Sequence, residues 1–217
     1  MALSVKGVAR KYGGIVGGFS VVKNIFGGSV TGSVSLRAKL ESMARQEFSF
    51  NYSECIYDGR AAFEQTWSHI RVRIKLNPDA GISVATMNAL KTKWQNRIEN
   101  TWSNQWGCGR SGEVTCPFTF EVQWVDSNEH HKVQVRQCPV GDFCRSNEGL
   151  WDTNDDISIP HEFGHMLGNP DEYGDPNCPS RNPVNTGTVM DDNSPNIPAR
   201  LLTRFANNVG SNVVSLT

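Results

Sequence analysis

The chain has 217 residues, 21 Lys and Arg against 22 Asp and Glu, a formal net charge of −1 and 38% hydrophobic residues. Those values describe one good-sized globular domain, or one domain with an extension. They exclude the broad basic field of a protein built around nucleic acid, and no apolar run approaches the roughly 20 residues of a stable membrane span.

Residues 1–33 hold eight of the 20 glycines, six of them paired at Gly13–Gly14, Gly17–Gly18 and Gly27–Gly28. Lys6, Arg10 and Lys11 precede an apolar run, but glycine dilutes it and Lys23 interrupts it. A signal peptide needs a stronger apolar core. Residues 1–33 therefore read as a flexible leader (a pro-segment, a delivery segment or a junction with a larger precursor), and 34–217 as the folded domain.

Val34 to Arg45 is expected to form a short helix. His69 to Leu76 alternates strictly, with Ile70, Val72, Ile74 and Leu76 against Arg71, Arg73 and Lys75, the pattern of a half-buried strand. Asn77 to Gly81 is a turn. Ser83 can then cap a helix running to about Trp102, with Leu90, Trp94 and Ile98 on one face; the tryptophans belong to the core. Phe118 to Val125 and Val133 to Arg136 also alternate, which predicts a hairpin joined by Asp126 to His131. That reading puts His130 and His131 in a solvated turn, and one hairpin strand is expected to offer a substrate-binding edge.

Six cysteines (Cys55, Cys108, Cys116, Cys138, Cys144 and Cys178) form no C-x-x-C motif and fall in polar segments. Two or three disulfides are expected, and with them an oxidising compartment; the spacing leaves the pairing open.

The chemistry concentrates at His161-Glu-Phe-Gly-His-Met-Leu-Gly-Asn-Pro-Asp-Glu-Tyr173. Asp152, Asp155 and Asp156 lead into a helix predicted to start near Asp156 or Ser158, with Pro160 in its first turn. His161 and His165, four apart, lie on one helical face and can grip one zinc ion. Gly168 lets the chain leave the helix with positive φ, so that Asp171 can fold back as a third ligand. Three protein ligands leave a position for water, as in catalytic rather than structural zinc sites. A zinc-bound water has its pKa lowered toward about 7, and Glu162 stands ready as its general base. Glu172, one residue later and longer, competes with Asp171 for the third-ligand role. Beyond Gly168 the chain is rich in Pro, Asn, Asp and Gly to about Pro198, and Ala199 to Val209 predicts a final helix.

This stretch resembles the extended zinc motif of the metzincin metallopeptidases, most closely the snapalysin pattern H-E-x-G-H-x-L-G-x-P-D-x-Y, which matches at every fixed position. The resemblance implies His161, His165 and Asp171 as zinc ligands, Glu162 as general base and Tyr173 as an aid to the oxyanion. It also implies that Met190, in Gly187-Thr-Val-Met-Asp191, forms a methionine turn beneath the metal. Gly187-Thr-x-x-Asp191 is in turn similar to the ligand motif of the aspzincins, the basis for Asp191 as a rival. Similar motifs ending in Asp-Glu-Tyr occur in other bacterial peptidases and in metallopeptidase toxin domains.

The expected fold is α+β and metzincin-like: a mixed twisted sheet, a zinc-site helix, a methionine turn and a C-terminal helix. The expected function is zinc-dependent endopeptidase. Its partners would be a protein or peptide substrate and an immunity or inhibitor protein, without nucleic acid or a stable membrane span. The protein would act outside the producing bacterial cell, as a secreted enzyme or a delivered toxin or effector. A zinc-bearing interaction module that does not cleave is the alternative.

Overall fold

The computed structural model describes residues 44–110, 115–139, 141–142 and 144–216. The leader, its boundary at 33/34 and almost all of the helix expected from Val34 lie outside the described residues. What is described is a mixed α+β domain on a six-stranded sheet. β1 (Gln46–Ser53), β2 (Asp58–Thr66) and β3 (His69–Pro78) run antiparallel in succession. The alternation read at His69 gives β3, with Ile70, Val72 and Ile74 fully buried.

After β3, Ser83 caps α1 (Val84–Trp102), accepting a hydrogen bond from Thr86 N at 3.0 Å. Met87, Leu90, Trp94, Ile98 and Trp102 recur every three or four residues, so one stripe is buried. Short β4 (Gly107–Gly109) and β5 (Cys116–Pro117) join β9 (Asn212–Val214) in a separate three-stranded sheet.

β6 (Thr119–Trp124) and β7 (His131–Arg136) correct the expected hairpin: each pairs in parallel with β3 rather than with the other. Successive carbonyls of a strand point to opposite sides. Val125 N bonds Ile74 O while His130 N bonds Arg73 O, so the connection passes across β3 from one edge to the other. Alternation reports that a strand has two unlike faces; it does not report its partner.

Two further expectations fall with the hairpin. β7 lies between β3 and β8 (Leu150–Asp152), and the outer amides of β6 at Phe120 and Val122 donate to Ser103 Oγ and Glu99 Oε1, so neither strand is the free edge expected for substrate. His130 and His131 are buried, not solvated. His130 Nδ1 accepts from Arg73 N at 3.0 Å and its Nε2 meets Glu47, while His131 Nε2 donates to Ala62 O. Arg71 and Arg73 form ion pairs with Glu47, Glu64 and Glu121 along the sheet.

α2 (Ile159–Met166) carries the motif and all eight of its residues are buried. Its start is held by α1: Trp102 Nε1 donates to Pro160 O at 2.9 Å, and Trp94 Nε1 donates to Asp155 O. The three aspartates before it do separate work. Asp152 pairs with Arg136, Asp156 with Lys93, and Asp155 accepts from Ser146 N and Ser158 N. A 3-10 turn (Ala199–Leu202) and α3 (Thr203–Asn208) form the expected C-terminal helix, with Phe205 against Phe63, Phe118 and Phe120.

Cys55–Cys178 and Cys138–Cys144 are disulfides. Cys108 and Cys116 are free and oppose each other across β4 and β5, so these two sit in strands rather than polar loops. No helix among the described residues is long and apolar enough to cross a membrane.

Candidate metal centre

α2 ends as the sequence requires. Gly168 has φ +87°, Gly168 N bonds His165 O and Asn169 N bonds Gly164 O, the paired bonds of a Schellman cap. The Arg204 guanidinium donates to Leu167 O, placing a cation at the negative helix end. A Cβ on residue 168 would lie 2.0 Å from Arg204 Nη1 and 2.8 Å from Phe50 Cζ, so glycine is needed for space as well as for backbone.

The turn brings Asp171 back over the helix. His161 Nε2 and Asp171 Oδ1 are 3.0 Å apart, His165 Nε2 and Asp171 Oδ1 3.2 Å, and the two Nε2 atoms 3.1 Å. Three potential ligand atoms thus form a nearly equilateral triangle among buried residues. Ligand atoms around tetrahedral zinc sit roughly 3.3 Å apart, given bonds of about 2.0–2.1 Å; the triangle fits such an ion with little adjustment.

The imidazoles are also oriented for it. His161 Nδ1 donates to Val189 O at 2.8 Å and His165 Nδ1 to Asn169 O at 2.9 Å. Each ring thereby turns its Nε2 toward the apex, as metal-binding histidines do when the other nitrogen is held. Burial would raise the Asp171 carboxyl, but hydrogen bonds and charge from His161 and His165 outweigh it and hold it well below the usual range. Burial would lower His165, yet its bond to Asp171 raises it.

Glu162 is buried, and desolvation raises its pKa, with Asp171 adding to the effect and both histidines opposing it. Tyr173 is half-buried, its ring nearly parallel to that of His161 at 6.4 Å. Burial and the Asp171 carboxylate push its hydroxyl up, so it is a neutral donor at physiological pH.

The rivals of Asp171 point elsewhere. The Glu172 carboxylate accepts from Thr186 Oγ1, Thr188 Oγ1 and Arg200, and its backbone N bonds Met190 O. Asp191 Oδ2 accepts from Gly187 N, closing the turn that carries Met190. Met190 is fully buried beneath α2, so close that a Cβ on Gly164 would lie 2.3 Å from its sulfur. That turn also presents Val189 O to His161, so Glu172 supports the site through the loop.

Several neighbours carried no signal in sequence. Tyr52 Oη donates to His165 O at 3.1 Å, and Tyr57 Oη lies 3.3 Å from His165 Nδ1. Both come from the β1–β2 hairpin, more than 100 residues before the helix. Arg181 packs over the Tyr173 ring, with its guanidinium carbon 4.6 Å from the ring centroid. A comparison of the chain with protein-family models, curated proteins and solved structures finds no match.

Proposed function

We propose that the protein is a metal-dependent endopeptidase of metzincin type, with His161, His165 and Asp171 holding one zinc ion. The observation that carries this reading is the buried His–His–Asp triangle with a second carboxylate, Glu162, beside it. A structural metal site has no use for such a base next to a three-ligand apex. When bound, the ion supplies Lewis acidity toward water and a substrate carbonyl.

The chain's own groups supply the rest. Glu162, raised by its buried setting, accepts a proton from the attacking water and hands it to the leaving amine. Tyr173, kept neutral, donates toward the developing oxyanion. Val189 O and Asn169 O fix the imidazoles, and Met190 supports the helix from below. The disulfides favour action in an oxidising compartment outside the producing cell, as a secreted enzyme or a delivered effector.

The test is proteomic. The full chain, loaded with zinc, is incubated with an unfolded protein mixture and new termini are mapped. Internal cleavage that a chelator abolishes and zinc restores is expected; stoichiometric zinc binding without cleavage would support the non-catalytic alternative instead.

A further inference from the structure

Asp171 has two oxygens, and only Oδ1 faces the histidines. Oδ2 lies 3.5 Å from Arg181 Nη2. The same Nη2 donates to Glu54 Oε2 at 2.7 Å, and Nη1 donates to Tyr173 O at 2.7 Å. The side chains of Arg181, Glu54 and Asp171 are all at least nine-tenths buried. Arg181 therefore spans the site's third ligand, the backbone of Tyr173 and a carboxylate from the far end of the chain.

A buried arginine beside a ligand carboxylate carries two opposite effects. It fixes the carboxylate's orientation, so that one oxygen is committed to the apex. Left uncompensated, its charge would also weaken that oxygen as a donor. Glu54 takes up the charge on the other side. The arrangement works only while Glu54 and Arg181 are held together, and they belong to loops 127 residues apart. The Cys55–Cys178 disulfide ties those loops: Cys55 follows Glu54 directly and Cys178 precedes Arg181 by three residues, with Cα atoms 5.4 Å apart. Arg181 N also bonds Cys178 O, so the crosslink and the arginine move as one turn.

Resting on the function proposed above, we infer that Arg181, clamped between Glu54 and Asp171 by the Cys55–Cys178 disulfide, is the positioning residue of the metal site, which reaches full affinity only once that disulfide has closed. Closure is thiol–disulfide exchange: the two thiols give two electrons and two protons to an incoming protein disulfide, which leaves as a dithiol. The reduced chain made inside a cell would hold its metal weakly, and the oxidised chain would hold it tightly.

The experiment measures zinc affinity by competition with a colorimetric chelator, on full-length variants whose folding is checked by tryptophan fluorescence and circular dichroism. R181A is expected to bind zinc roughly 10–100-fold more weakly, and R181K, whose single ammonium cannot hold Tyr173 O and the two carboxylates at once as Nη1 and Nη2 do, to fall between. Cys55→Ser/Cys178→Ser is expected to weaken zinc in the same range, and adding R181A to it to cause little further loss. In a D171A background, R181A should leave the residual affinity unchanged, since its action passes through Asp171. E54Q, nearly the same size as the native residue, provides a gentler variant and should weaken zinc in the same direction. A folded R181A that matches a tightly binding wild type, or one that weakens D171A equally, overturns the inference alone. A wild-type protein that binds no zinc overturns the proposed function and this inference with it.

Discussion

Replacing Gly164 with alanine places a methyl group where α2 meets the turn at Met190. The new carbon would lie 2.3 Å from Met190 Sδ, 3.1 Å from Met190 Cε and 3.0 Å from Trp102 Cζ2. Neither neighbour has room to yield, because Met190 and Trp102 are both fully buried. Alanine gains about 1 kcal/mol of helix propensity over glycine, and overpacking of this kind costs about 1–3 kcal/mol. G164A should therefore destabilise the fold by up to about 2 kcal/mol. It should also weaken metal retention, because a displaced Met190 carries Val189 O away from His161. M190A alone leaves a cavity and should cost about 2–5 kcal/mol. Combined, the new methyl group occupies part of that cavity, so the double variant should fall short of the sum by about 1 kcal/mol or more. Urea unfolding followed by tryptophan fluorescence measures all three. Additivity within about 0.5 kcal/mol would refute the packing of Met190 beneath the helix.

The rival ligand gives a second expectation. E172Q should lose about 1–3 kcal/mol of stability, by uncoupling Thr186, Thr188 and Arg200 from a buried carboxylate, yet keep one zinc per chain, whereas D171A should lose tight binding; zinc analysis after gel filtration decides. His131 gives a pH prediction. Burial lowers its pKa from 6.5 to about 4, so the unfolded chain binds more protons between those values and stability rises with pH across that window. Acidification from pH 7 toward pH 4 should remove about 3 kcal/mol through this group. In metal-free protein, H131Q should show a correspondingly shallower slope of unfolding free energy against pH; an unchanged slope would refute the assignment.

What the sequence revealed depended on how local the determinant was. α1, α2 and the cap at Gly168 follow from spacing, capping residues and one glycine, all within a few residues, and each is where the pattern placed it. The convergence of His161, His165 and Asp171 was legible for the same reason, since His161 and Asp171 are only ten positions apart. Pairing of β6 and β7 was not, because a period of two is satisfied equally by a hairpin and by two strands flanking a third. Tyr52, Glu54 and Tyr57 reach the site only through sheet pairing and a disulfide. Arg181 carried no signal in the sequence, because its role appears only when Glu54 and Asp171 flank it.

The central claim is that this site hydrolyses peptide bonds and does not merely hold a metal, and Glu162 separates the two. The most direct measurement is zinc affinity and protein cleavage, side by side, in wild type and E162Q. The side chain of Glu162 is no member of the ligand triangle. E162Q should therefore keep zinc within a few-fold of wild-type affinity and lose cleavage by about 10²-fold or more. An E162Q protein that still cleaves like wild type, or a wild type that binds zinc and cleaves nothing, would contradict the account.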